Sequence, residues 1–342
     1  MRIGKVWFSA GAALLVCAGL AGIGHAQQGN QGKQGKQAKQ NNPAAAEVHI
    51  LHVRGNVYML VGAGGNITLS VGPDGVLMVD TGLAQNVDKV MAAIRTLTDK
   101  PVVQIVNTHL HVDHIGGNEK LAATGKTYTG GNVAGDLGDA AEGAAIIAHE
   151  NVLNRLSSPP PGQPAVPFRA QPTETYHIDS LKLSKLFHGG EAVQIVHQPA
   201  AHTDGDSMVF FRGADVIATG DIFLTESYPI IDLQNGGSIN GIIDALNHIL
   251  DLAFPDFRLE GGTMIVPGHG RLCDSADVAY YRDMATIVRD RIQAMIKKDM
   301  TLEQVKAARP TVDYDPRYGS NTGFWTTDMF VEAVYKSLSG RK

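Results

Sequence analysis

From residue 48 onward the chain alternates short apolar runs with turn residues. VHILHV (48–53), VYMLVG (57–62), ITLSVG (67–72) and VLMVD (76–80) predict consecutive strands. Gly55-Asn56 and Pro73-Asp74-Gly75 supply turn chemistry between them. Residues 84–97 place Val87, Val90, Met91, Ile94 and Leu97 at helical spacing, which predicts a helix packed on the sheet. VVQIVN (102–107) is a continuous apolar run after Pro101 and predicts a strand buried on both faces. A helix is expected over 132–156. Pro159, Pro160, Pro161, Pro164, Pro167 and Pro172 then mark a long loop over 158–172, either a lid or a surface connection. The second half repeats the theme, with strands expected at 181–187, 192–197, 207–212 and 215–219 and a helix over 239–253. MIVPGHG (264–270) reads as a strand running into a glycine-flanked turn, and helices are expected at 276–298, 301–308 and 325–338. Strands followed by helix in each half, with no glycine-rich dinucleotide fingerprint, predict two packed sheets with helices outside, a four-layer α/β arrangement. No short-period repeat is present, which excludes a solenoid.

The N-terminus follows other rules. Arg2 and Lys5 precede an apolar run from Val6 to Ile23 that ends at Gly24-His25-Ala26. A basic start, a short apolar middle and small residues at the end describe a secretory signal peptide over 1–26, hence a periplasmic or secreted protein with no stable membrane insertion after cleavage. Residues 27–46 are dominated by Gln, Gly, Lys and Asn and cannot offset their ordering entropy, so a disordered linker is expected there. The catalytic domain is then expected over 47–275, with a helical C-terminal extension over 276–342. In that extension Phe324, Trp325, Phe330 and Tyr335 are expected in ordinary helix packing, with a pocket wall or a dimer face as the alternative. Cleavage after Ala26 removes Cys17 and leaves Cys273 as the sole cysteine, which excludes a disulfide scaffold and a four-cysteine metal site.

Charge narrows the partners. The chain carries 29 basic and 34 acidic residues. Arg2, Lys5, Lys33, Lys36 and Lys39 all precede the first acid, Glu47, so the body holds 24 basic against 34 acidic residues, a charge of −10. A body that acidic is a poor polyanion binder, so a small-molecule substrate is expected rather than nucleic acid. A homo-oligomer is compatible with the sequence.

The densest chemistry is Thr108-His109-Leu110-His111-Val112-Asp113-His114, directly after the buried strand. In extended backbone His109 and His111 point the same way and can share a metal ion. Asp113 and His114 are adjacent, so at least one turns away from that pair, which invites a second ion. His202 opens HTDGDS, Asp221 ends VIATGD and His269 sits in VPGHG, each after an apolar strand. Five His and two Asp delivered from strand ends suffice for two ions. The other histidines of the body, His49, His52, His149, His177, His188, His197 and His248, are read as structural or surface residues. No GxSxG elbow is present, which excludes a serine-hydrolase mechanism of that type.

The His109–His114 block resembles the His-x-His-x-Asp-His signature of the metallo-β-lactamase-fold hydrolases, and the order of His202, Asp221 and His269 resembles that superfamily's downstream ligands. The resemblance spans residues 48–272 and implies an αββα sandwich with two zinc ions at one edge. It implies that His109, His111 and His202 bind the first zinc and Asp113, His114 and His269 the second, with Asp221 bridging. Asp80, closing VLMVDTG, looks like the family aspartate that orients ligand imidazoles. The implied reaction is attack of a zinc-held hydroxide, oriented by Asp113, on an activated carbonyl of a lactone, thioester, ester or β-lactam.

Asp221 looks like the bridging aspartate of glyoxalase II and lactonase relatives and differs from lactamases with a cysteine in this region. Leu224 stands where quorum-type lactonases carry a tyrosine, and it offers no cation for a β-lactam carboxylate. GAGGNITLSVGPDGVLMVDTG (62–82) and Gly220-Asp221-Ile222-Phe223 resemble exported members grouped with quinoprotein-associated relay hydrolases. The alternatives are a true class B β-lactamase, with a role in antibiotic catabolism, and a zinc-binding, non-catalytic partner of a periplasmic oxidation system.

Overall fold

The antiparallel opening is built by its turns. β1 (His49–Arg54), β2 (Val57–Val61), β3 (Ile67–Gly72) and β4 (Gly75–Val79) form a meander. Gly55 turns the first hairpin with a φ of 58°, and Pro73-Asp74 close the β3–β4 hairpin between paired Gly72 and Gly75. β5 (Val102–Val106), β6 (Ala145–His149) and β7 (Glu174–Tyr176) then add in parallel, giving a seven-stranded sheet in chain order. The second sheet holds β8 (Ser180–Lys182), β9 (Val193–Gln198), β10 (Asp206–Phe211), β11 (Val216–Ala218), β12 (Met264–Val266) and β13 (Cys273–Asp274), also in sequential order. It is antiparallel except where β11 pairs with β12. This computed structural model describes residues 47–127, 143–159, 162, 165–183, 191–253 and 261–340. The leader and linker expected over 1–46 lie outside the described residues.

Three apolar clusters make the layers. Leu77, Val79, Val106 and Ile147 of the first sheet meet Ile195, Val209, Phe211 and Val266 of the second, so the sheets pack face to face. The outer face of the first sheet packs on α1 (Val87–Leu97) and α3 (Asn118–Thr124) through Leu69, Met78, Val90, Ile94 and Leu121. The outer face of the second packs on α5 (Ile239–Ala253), α6 (Ser275–Ile296) and α9 (Thr327–Ser339) through Met208, Ile217, Ile242, Leu246, Met284 and Phe330. The result is the expected four-layer αββα sandwich with C-terminal helices. α2 (Val112–Ile115), α4 (Glu150–Ser157), α7 (Leu302–Ala307) and α8 (Asp315–Tyr318) complete the described helices. None of the described helices is long and apolar enough to cross a membrane.

One expectation needs correction. The helix expected over 132–156 begins only at Glu150, because Ala145–His149 is strand β6, buried throughout and hydrogen-bonded between β5 and β7. Residues 132–142 lie outside the described residues. The loop over 158–172 contributes no described residue to the cavity beside the candidate site. Instead Val166 packs against a small cluster with Ile115 and Leu156, and the carbonyl of Ala170 accepts from Asn118 Nδ2 at 2.9 Å. The short strands β7 and β13 were not expected at all.

Candidate metal centre

The seven candidate ligands come from the carboxyl ends of four strands. His109 and His111 lie between β5 and α2, and Asp113 and His114 lie in α2. His202 lies in the β9–β10 turn, Asp221 in a 3-10 turn after β11, and His269 beyond β12. The two sheets are packed with these ends together. One ligand-type atom each from His109, His111, His202 and Asp221 converges in one group, and from Asp113, His114 and His269 in a second, every atom within 4.8 Å of the others in its group.

Asp221 joins the groups. Its Oδ2 lies 3.9 Å from His109 Nε2 and 3.8 Å from His202 Nε2. Its Oδ1 lies 3.1 Å from His114 Nε2 and 3.6 Å from His269 Nε2. Asp113 Oδ2 faces His269 Nε2 at 3.1 Å and His114 Nε2 at 3.8 Å. One carboxylate oxygen thus serves each group.

Hydrogen bonds on the outer side of each ring fix which nitrogen is free. Asp80 Oδ2 accepts from His114 Nδ1 at 2.7 Å and from Thr108 Oγ1 at 2.7 Å, while Oδ1 accepts from the Thr108 amide at 2.8 Å. With its hydroxyl proton committed to Asp80, Thr108 Oγ1 accepts from His109 Nδ1 at 3.0 Å. Asp80 therefore orients one imidazole directly and a second through Thr108, from a backbone held at a φ of 61°, costly for a non-glycine residue. The carbonyl of Ile230 accepts from His202 Nδ1 at 2.7 Å.

The sequence reading missed Asp232. Its Oδ2 accepts from His111 Nε2 at 2.9 Å, and its amide donates to the carbonyl of His202 at 3.0 Å. The same carboxylate caps the turn Leu233–Asn235. Asp232 follows no strand-end pattern, and the only available signal was its place in a polar turn, Asp232-Leu233-Gln234-Asn235-Gly236.

These outer bonds leave lone pairs pointing inward. His111 Nδ1 and His202 Nε2 face each other at 2.9 Å with their other nitrogens already donating. His109 Nε2 is buried without a hydrogen-bond partner, and His114 Nε2 and Asp221 Oδ1, also buried, face each other at 3.1 Å. Electron-rich atoms gathered in this way fit a cation better than they fit one another. Backbone is kept close by glycine: a Cβ on Gly65 would stand 2.6 Å from His114 Nε2, and one on Gly268 would run into Asp221 Oδ1.

Electrostatics divide the imidazoles. Burial pushes His109 well below the usual imidazole range, and the neighbouring His114 adds to this. Burial likewise lowers His202, to about 4. Burial opposes ionisation of Asp221, but the His114 charge and hydrogen bond outweigh it and hold the carboxyl well below its ordinary value. His114 is raised because Asp221 and Asp80 outweigh its burial. Burial alone would raise Asp113, yet the His269 hydrogen bond and the His114 charge bring it below the ordinary carboxylate value. Burial thus favours the neutral, ligating form of His109 and His202, whereas the carboxylates around His114 and His269 draw these two towards protonation, so a cation bound there displaces protons from them.

A cavity of about 850 Å³ opens on this cluster. His111, Asp113, His202, Asp221 and His269 line it, and Leu224, Ile230, Ile231, Phe324 and Trp325 form apolar wall. Of the aromatic residues weighed in the C-terminal extension, Phe324 and Trp325 therefore line the cavity, whereas Phe330 and Tyr335 are buried in the core.

Comparison with known proteins places this geometry in a family. A curated relative, the linear primary-alkylsulfatase of Pseudomonas sp. (strain ATCC 19151), is 24% identical over 302 residues, which are 78% of this chain and 54% of that protein. The chain thus spans about half the length of the curated relative it matches. Among solved structures, the stereoselective inverting sec-alkylsulfatase Pisa1 from Pseudomonas sp. aligns with 86% of this chain and 51% of its own, at a TM-score of 0.61 and 16% identity. A metallo-beta-lactamase from Pontibacter korlensis aligns with 70% of this chain and 99% of its own, at a TM-score of 0.50 and 15% identity. The family model of the metallo-beta-lactamase superfamily matches residues 60–269, from β2 through the last of the candidate ligands, and the chain belongs to that superfamily.

Proposed function

We propose that the chain is a hydrolase dependent on two zinc ions, acting on an ester-type bond of a small, largely apolar molecule. The observation that carries this reading is the division of the Asp221 carboxylate between two converging ligand groups at the wall of an apolar cavity. His109, His111 and His202 would hold one ion, Asp113, His114 and His269 the other, and Asp221 would touch both. When bound, the ions supply Lewis acidity and lower the pKa of a water to about 7. The chain supplies the rest. Asp113 is the least buried of the ligand carboxylates, and it accepts a hydrogen bond from the attacking water and fixes its direction. Leu224, Ile230, Ile231 and Trp325 seat the organic part of the substrate and keep bulk water from the reacting bond.

Among bond types, an activated carbonyl (lactone, thioester or ester) is the first reading. A sulfate ester is the second, favoured by the activity that the curated relative's name states and by the apolar wall. The test uses chelator-treated full-length protein reloaded with zinc. Its substrates are 4-nitrophenyl esters, lactones, nitrocefin and decyl sulfate. Turnover that requires zinc and disappears in His111→Ala supports the hydrolase. Hydrolysis confined to nitrocefin would make it a β-lactamase. Two equivalents of tightly bound zinc with no turnover on any member of the panel would leave a non-catalytic zinc protein and overturn the proposal. An export signal over 1–26 belongs to the same reading, and sequencing the N-terminus of protein recovered from the periplasm tests it.

A further inference from the structure

Leu224 offers no cation near the ligand cluster, but the C-terminal helix does. Met329, Glu332, Ala333 and Lys336 lie on one face of α9, at spacings of three, one and three residues, and all line the cavity that the candidate ligands share. The opposite face of α9 buries Phe330, Val331 and Val334 in the core, so this face is held where it is. Seven residues of helix span about 10 Å, enough to run along a small molecule rather than touch it at a point. Lys336 is the only lysine or arginine among the described residues that line this cavity.

Lys336 shares its helical ion-pair partner with a second lysine. Its Nζ lies 3.0 Å from Glu332 Oε1, but Glu332 Oε2 is already engaged by Lys306 Nζ at 2.7 Å. Two ammonium groups share one carboxylate, so the triad carries a surplus positive charge. The side chains of Lys306, Glu332 and Lys336 are 26%, 35% and 38% exposed, so water screens part of that charge and the effect expected of it is modest. Of the carboxylates that line the cavity, Asp113, Asp221 and Asp232 face the histidines of the ligand cluster and Glu332 faces the two lysines, which leaves Glu226 and the surplus ammonium; the end of the cavity at Lys336 is therefore locally complementary to the anionic group of an amphipathic compound.

We propose that Lys336 is a specificity-determining residue. It binds the anionic group of a small amphipathic substrate, whose apolar body packs on Ile230, Ile231, Phe324, Trp325 and Met329 while its scissile bond meets the ligand cluster. The proposal rests on the hydrolase reading above and adds the substrate class: an ester-type compound bearing a carboxylate or sulfate apart from the bond that is cut.

Two measurements on the full chain separate the proposal from the reading beneath it. The first is calorimetric binding of octanoate and of octan-1-ol to chelator-treated protein, which needs no turnover. Octanoate is expected to bind about tenfold more tightly than octan-1-ol, the increment typical of a charge-assisted hydrogen bond. Lys336→Met should reduce that ratio to about one, and Lys336→Arg should keep it. The octan-1-ol affinity serves as the folding control, and Lys336→Gln repeats the comparison if the methionine variant is insoluble. Equal affinities in the unaltered protein, a preference that survives Lys336→Met, or no binding of either compound overturns the proposal. The second measurement compares kcat/KM of zinc-loaded protein for mono-4-nitrophenyl suberate and 4-nitrophenyl octanoate. A preference for the suberate that Lys336→Met abolishes supports both ideas. Hydrolysis of neither ester overturns the carboxylic-ester form of the hydrolase reading, while calorimetry still decides on Lys336.

Discussion

At the scale of single residues, the candidate centre depends on groups outside both ligand sets. Asp80 and Asp232 each hold an imidazole by its outer nitrogen, and such partners typically change metal affinity 10–100-fold when altered. Asp232→Asn is therefore expected to weaken zinc binding by about tenfold or more in the group containing His111, leaving the Asp113–His114–His269 group near its original affinity. Competition with a chromophoric chelator, read as two separate stoichiometric steps, checks this, and equal weakening of both steps would count against the assignment. Gly268→Ala acts by volume, because the new methyl group would collide with Asp221 Oδ1 and the backbone of Gly220. Since Asp221 faces both groups, this variant should weaken both steps and depress zinc-dependent turnover at least about tenfold. The candidate ligands themselves were legible because each follows an apolar run, and strand ends deliver side chains to a common edge. Asp232 and Lys336 were not legible: one acts through another side chain from a turn, and the other is one lysine of many on an amphipathic helix.

At the scale of elements, periodicity succeeded where burial is one-sided and faltered where composition competes with it. The helix at 239–253 and the meander of β1–β4 stand where the pattern puts them. β6 does not, because Ala145-Ile146-Ile147-Ala148-His149 sits in an alanine-rich stretch with good helix propensity, and only pairing between β5 and β7 makes it a strand. Three-residue β7 and two-residue β13 carry no periodicity to read. The β6–α4 junction yields its own prediction. His149 Nδ1 accepts from the Asn151 amide as the cap of α4, and its ring stacks on His197 with centroids 3.6 Å apart. Burial, then the neighbouring His197, pushes His149 from 6.5 to about 4. Above pH 6.5 neither the folded nor the unfolded chain protonates this ring. Between about 6.5 and 4 the unfolded chain takes up a proton that the native state refuses, so stability falls as the pH falls, and the loss is complete below 4. Urea unfolding of zinc-loaded protein at pH 7 and pH 5 should show a smaller loss for His149→Gln than for the unaltered chain. An identical loss in both would show that His149 titrates normally.

At the scale of the whole molecule, two sheets, a loop and a C-terminal helix meet around one cavity, and the converging ligand-type atoms at and beneath its wall make the fold sensitive to what occupies them. A ligand present at a thousand times its Kd stabilises the native state by about 4 kcal/mol. For a body of this size that corresponds to a melting temperature about 10 °C higher. Stripping zinc with a chelator should lower the thermal midpoint by about that amount, readding zinc should restore it, and scanning calorimetry on the two forms decides. The segment Ile230–Gln234 has a double allegiance. Its Ile230 carbonyl and Asp232 carboxylate clamp His202 and His111, while Ile230, Ile231, Leu233 and Gln234 face the cavity. Remodelling this stretch for a differently shaped compound would disturb the clamp at the same time, so drift there is penalised twice. α9 reaches the cavity with no hydrogen bond to a candidate ligand, and a lineage exploring new chemistry has its freer hand at Met329 and Lys336.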